Sequence, residues 1–146
     1  MSGLNLIYSG RVPKQYIFAV FFNEMKLEDG FYKIDSEIWG ASFWKTIYYI
    51  IFTYEVNNES VMEMVYYFFF SLGGLLPCPD CQQHYQEYFQ KNDIQKVIHD
   101  KKLLWKWVYE LQREIFIREK KGNSPWTFVQ WKQKALEMVQ IDENKL

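Results

Sequence analysis

Gly73-Gly74-Leu75-Leu76-Pro77-Cys78-Pro79-Asp80-Cys81-Gln82-Gln83-His84-Tyr85 is the stretch on which the reading of this chain turns. A helix over about 60–72 is expected to stop at the glycine pair, and Pro77 breaks the chain. Cys78 then opens a third helix that continues to about 91. Pro79 fits its first turn, where a missing N–H does no harm. Cys78 and Cys81 are the only cysteines. Two intervening residues bring both sulfurs to one side of a first helical turn. Free N–H groups and the positive dipole end there favour a thiolate.

Four readings of that pair compete. A zinc site needs about four ligands, and only His84 and His99 could join the two sulfurs. A structural disulfide would close a loop too short to remove much entropy from the unfolded state. Two cysteines could also be buried neighbours with no chemistry. A dithiol that cycles through oxidation is the favoured class. A thioredoxin-like reductase is disfavoured, because no strands are readable ahead of the Cys-x-x-Cys pair.

Outward from this stretch the periodicity is helical. Ile38, Trp39, Phe43, Trp44, Ile47 and Ile51 recur at three- and four-residue steps, with Ser36 as N-cap and Asn57-Asn58 as the end. Asn92-Asp93 makes a turn. A fourth helix covers about 101–120 with the apolar stripe Leu104, Trp107, Val108, Leu111 and Ile115, and Gly122-Asn123 caps it. Ser124 is expected as N-cap and Pro125 as first residue of a fifth helix that runs to about 139. The tail 142–146 is polar and expected to fray. Within residues 1–35, the segment 16–22 fits strand or helix equally. The expected fold is all-α, a four-helix bundle with a short fifth helix. It divides into an extension at 1–35, a domain at 36–140 and a tail at 141–146.

Composition narrows the function. The 146 residues suffice for a core without staples, and a net charge of −1 gives no nucleic-acid footprint. Aromatic residues make up 20%, with six Trp, eleven Tyr and twelve Phe. That excess serves a core, and it also suits a flat conjugated cofactor or a second subunit. The longest uncharged stretch, 64–77, is shorter than a membrane span. No signal peptide is read at the start of the chain, so the expectation is a soluble, cytoplasmic protein.

Trp39-Gly40-Ala41-Ser42-Phe43-Trp44, followed one helical hairpin later by Pro77-Cys78-Pro79-Asp80-Cys81 with His84 and Tyr85 after it, resembles the ERV/ALR family of FAD-dependent sulfhydryl oxidases. The resemblance covers about 36–140 and is strongest to short members from large DNA viruses. It implies FAD at the mouth of the bundle and a homodimer. Electrons would pass from a thiol-containing protein or small thiol carrier to Cys78–Cys81, then to FAD and O2, yielding H2O2. It also implies that Cys78, the exposed sulfur, exchanges with the partner while Cys81 faces the flavin. Trp39, Gly40, Trp44, Tyr48, His84, Tyr85, Ile115, Lys121 and Trp126 are the implied cofactor contacts, with no metal. A viral source would place the enzyme in host cytoplasm or virion.

The chain departs from the family pattern on the fourth helix. There Gln112 falls at a His position, Arg113 and Phe116 at Asn positions, Ile115 at a Val and Lys121 at the final Lys. Tyr48 stands where many members have His, and the second, shuttle cysteine pair is missing. The alternative is a non-enzymatic helical binding or structural protein that has lost FAD.

Overall fold

In the computed structural model the described residues are 36–119, 122 and 126–146, all within one unit, Lys33–Leu146. They form five α-helices: α1 Ser36–Thr53, α2 Glu59–Leu75, α3 Pro79–Lys91, α4 Lys101–Arg118 and α5 Phe128–Val139. Two 3-10 turns, Ile94–Lys96 and Glu143–Lys145, complete the order, and no strand occurs among the described residues. The expected all-α class is what the structure has. α2 packs on α3, α1 against α4 and α5, and α4 touches α3 and α5.

Local chemistry sets most helix ends. Asn58 caps α2 by accepting from the Val61 N–H at 3.2 Å, and Asp100 caps α4 by accepting from Lys102 and Leu103. Cys78 caps α3, with its sulfur 3.3 Å from the Cys81 N–H and Pro79 in the first turn. α1 ends at Thr53, so Asn58 serves the start of α2 rather than the end of α1.

Further expected boundaries are corrected: α4 ends at Arg118 with Glu119 as its cap, short of Gly122. α2 does not stop at Gly73-Gly74 but runs through both to Leu75. Glycine inside a helix costs about 1 kcal/mol relative to Ala. Here α3 supplies donors to the carbonyls at that end: Gln86 Nε2 to Gly73 at 2.6 Å and Gln82 Nε2 to Gly74 at 3.2 Å. α5 begins at Phe128, so Ser124 is not its cap; Ser124 and Pro125 themselves lie outside the described residues. Thr127 caps it instead, in a capping box with Gln130 that satisfies one N–H at each residue. The tail is not simply frayed, since Asp142 caps a 3-10 turn and Lys132 pairs with Glu143. The expectations for 1–35, Lys120, Lys121 and Asn123 fall outside the described residues.

The aromatic excess fills the core and ties it together. Phe52 and Phe69 are fully buried, and Trp107 meets Phe69 and Tyr88 edge-on at 5.4 and 5.0 Å. Polar tips reach backbone carbonyls of other elements: Trp105 to Ile51, Trp107 to Asn92, Tyr88 to Trp107 and Tyr54 to Ile98. Burial and the charge of Asp100 push the Tyr54 phenol up to about 12, so it remains a donor. Among the described residues no buried side-chain nitrogen or oxygen lacks a partner.

Truncating the core and removing a cap should differ in scale. Phe69→Ala is expected to cost about 3–5 kcal/mol. Asp100→Ala is expected to cost about 1 kcal/mol. Urea unfolding with unchanged slope would check both.

Candidate functional site

Three helices converge on one cavity of about 410 Å³. α1 contributes Trp39, Gly40, Phe43 and Trp44, which alternate at four-residue steps on one broad face. α3 contributes Cys81, His84 and Tyr85, also one helical face. From α4 come Leu111, Gln112, Ile115 and Phe116, with Arg118 and Glu119 at its end. Trp126, just ahead of α5, closes the set.

The two tryptophans of α1 are five residues apart, yet both line the cavity, with Phe43 packed between them. Its ring meets Trp39 at 5.4 Å and Trp44 at 5.8 Å, edge-on in both cases. Gly40 sits between them in the sequence, and a Cβ built there would meet nothing within 4 Å. The backbone is therefore open to the cavity at that point. Tyr85 is buried with its hydroxyl donating to the Phe69 carbonyl at 2.6 Å, so it offers a ring face and no free hydroxyl.

Cys78 and Cys81 are joined as a disulfide, with Cα atoms 5.1 Å apart. The exposure of the two is the reverse of expectation. Cys78 is only 4% exposed, whereas Cys81 is half-buried and lines the cavity. The cause is the cap position, which tucks the Cys78 sulfur over the first turn of α3. Gln82 holds that turn. It is buried, and its Nε2 donates to the Leu76 carbonyl at 2.8 Å, which also accepts from the Cys78 N–H at 2.8 Å. No group of three or more His, Cys, Asp or Glu gathers as a metal site among the described residues.

Of the implied cofactor contacts, Trp39, Gly40, Trp44, His84, Tyr85, Ile115 and Trp126 line this cavity. Lys121 lies outside the described residues. Tyr48 is not on the wall; it stands behind it, buried, donating to Gln112 Oε1 at 2.6 Å and packing edge-on against Trp131. Phe43, Leu111, Phe116 and Arg118 line the cavity as well, beyond the contacts the resemblance implies. Helical spacing from Gly40 to Trp44 and from Leu111 to Ile115 was the available signal. Arg118 pairs with Glu87 across α3 and α4 at 3.2 Å, and hydrogen bonds from Gln83 and Arg118 hold the exposed Glu87 carboxyl below its usual range.

The model of the Erv1 / Alr family matches residues 41–135. The chain belongs to the Erv1/Alr family. The match includes the greater part of the cavity and both cysteines. Three viral proteins whose names describe FAD-linked sulfhydryl oxidases are similar to it. Protein 096R of Invertebrate iridescent virus 3 is 26% identical over 86 residues, 58% of each chain. FPV093 of Fowlpox virus is 33% identical over 61 residues, 42% of this chain and 61% of that one. Protein 347L of Invertebrate iridescent virus 6 is 26% identical over 91 residues, 58% of this chain and 82% of that one. This chain thus spans less than two thirds of the first two relatives. No solved structure matches it.

Gly40→Ala gives a direct check on the open wall. With free space for the added methyl, the ligand-free protein should gain about 0.5–1 kcal/mol in helix stability. A lower urea midpoint would mean that Gly40 is closely packed.

Proposed function

We propose that this Erv1/Alr member is an FAD-linked thiol oxidase that makes disulfide bonds in a thiol-containing protein or small thiol carrier. The observation that carries the reading is the placement of Cys81, one half of a disulfide, on the wall of an aromatic cavity. The residues present suit FAD. Trp39 and Trp44 offer flat ring faces, Gly40 leaves backbone room, and Arg118, paired with Glu87, would supply a cation for the diphosphate. When bound, FAD accepts the two electrons of the dithiol and delivers them to O2, giving H2O2.

The chain's own residues supply the first half of the reaction. A partner thiolate attacks one sulfur of Cys78–Cys81, and its second thiol resolves the mixed disulfide. The partner leaves oxidised, and both cysteines are left as thiols. We assign the exchange to Cys78 and the cofactor side to Cys81. Attack on the Cys78 sulfur breaks its bond to Cys81 and releases Cys81 as the thiol at the cavity. When the partner's second thiol resolves the mixed disulfide, Cys78 leaves as a thiolate, which the Cys81 N–H, 3.3 Å from its sulfur, and the α3 dipole stabilise. Since Cys78 is covered in the disulfide form, exchange there requires local displacement of its surroundings. Gln82 keeps the turn in register while the sulfurs separate, so Cys81 stays at the cavity.

Other parts of the reading rest on family likeness. A homodimer fits the exposed apolar side chains Ile38, Met64 and Leu75, at 75, 69 and 73% exposure. No helix among the described residues is long and apolar enough to cross a membrane. With viral relatives, we place the protein in host cytoplasm or the virion. There its disulfides would form where cellular thiols normally prevent them.

Purified protein should be yellow and should consume oxygen when given dithiothreitol. Cys81→Ser should keep the flavin band and lose oxygen uptake by about a thousandfold or more, in line with removal of an essential nucleophile. Protein that stays colourless after incubation with FAD, with no oxygen uptake, would replace this reading with the non-enzymatic one.

A further inference from the structure

Gln112 departs from the family pattern, and its surroundings give that departure a meaning. Two donors converge on its one side-chain oxygen: the Tyr48 hydroxyl at 2.6 Å and the Trp131 indole N–H at 2.7 Å. An indole nitrogen can only donate, so the atom it meets must be the amide oxygen. The orientation of the amide is therefore fixed rather than free to flip. Tyr48 keeps its proton for this role, because burial pushes its phenol up. Tyr48 and Trp131 are both buried and neither lines the cavity, whereas Gln112 does.

The other end of the amide follows from these facts. Among the described residues nothing accepts from Gln112 Nε2, and no buried side-chain nitrogen is left unpartnered. The NH2 group must then lie open, and the open side of this half-buried residue is the cavity.

We infer that Tyr48 and Trp131 lock the Gln112 amide so that its NH2 group is a fixed hydrogen-bond donor to an acceptor on the planar ring system bound in the cavity. Gln112 is then a ligand-binding residue, and Tyr48 and Trp131 are positioning residues acting through it. Unlike an imidazole, an amide keeps this donor at every pH the protein meets. The inference rests on the reading of the cavity as an FAD site.

The test is the FAD dissociation constant, measured by flavin fluorescence quenching on protein stripped of cofactor. Gln112→Glu keeps an acceptor for both Tyr48 and Trp131 but removes the donor facing the ligand. It should unfold at the wild-type temperature without FAD and bind FAD about tenfold more weakly. The loss should persist in about 0.5 M salt, where longer-range charge repulsion is screened. Tyr48→Phe should weaken FAD about threefold in the wild-type background and have no effect in a Gln112→Leu background, since a positioning residue acts only through its target. If wild type binds FAD and Gln112→Glu binds equally well, the inference is overturned while the oxidase reading stands. An equal Tyr48→Phe effect in both backgrounds overturns the positioning role. If wild type binds no FAD, the oxidase reading fails and takes the inference with it.

Discussion

The amide of Gln82 is the interaction on which the rest depends. It is buried between α2 and α3 and donates to the carbonyls of Leu76 and Gly74, at 2.8 and 3.2 Å. A buried amide left unpaired would cost about 1–3 kcal/mol, so the side chain and the turn hold one another in place. The turn contains Pro77 and Pro79, which have no N–H of their own and restrict the backbone. With Leu76 clamped, Cys78 has one position available, the cap of α3, and Cys81 follows one turn on. Further along the same helix, Tyr85 and Gln86 repeat the device, donating to the carbonyls of Phe69 and Gly73. Three successive ties fix α3 on α2, and the face of α3 left over carries Cys81 and His84 into the cavity.

Aromatic side chains serve two separate purposes around that frame. In the core many of them pack edge-on while their polar tips bind backbone carbonyls. At the cavity, Trp39, Phe43 and Trp44 present rings without closing the space between them. The same residue type thus builds both a filled interior and an unfilled site. The difference lies in what else they border: Trp107 is buried among other rings, whereas Trp39 and Trp44, which also meet Phe43, line the cavity beside Gly40. Tyr48, Trp131 and Gln112 form the join between the two regions, with core donors on one end of an amide and the cavity at the other.

Much of this was legible in the chain. Helices α1 and α4 could be read from their apolar spacing, and the opening of α3 from Pro77, Cys78 and Pro79, whereas the caps of α4, Asp100 and Glu119, were not singled out. The end of α2 could not, since Gly73 and Gly74 look like a stop until the donors Gln82 and Gln86, on the next helix, are in place. The start of α5 differs from the expected one because Ser124-Pro125 is a strong cap signal, whereas the cap used is the local capping-box pair Thr127 and Gln130. At the site, Trp39, Trp44 and the cysteine pair stand out as motifs. Phe116, Arg118 and the inward turn of Gln112 depend on how α4 is rotated against α1, which no local pattern records. The burial of Cys78 was likewise hidden, because exposure at a helix mouth is set by what packs over it. Tyr48 was drawn to the cofactor by its place in the motif, and the structure sets it one layer behind.

The central claim is that the cavity between α1, α3 and α4 brings a flavin against Cys81. A crystal structure of the protein purified with its flavin tests it most directly. The account predicts an isoalloxazine ring beside Trp39, Trp44 and Gly40, with the Cys81 sulfur the nearer of the pair and in van der Waals contact, about 3.5–4 Å. A flavin seated elsewhere, or one approached by Cys78 instead, would contradict it.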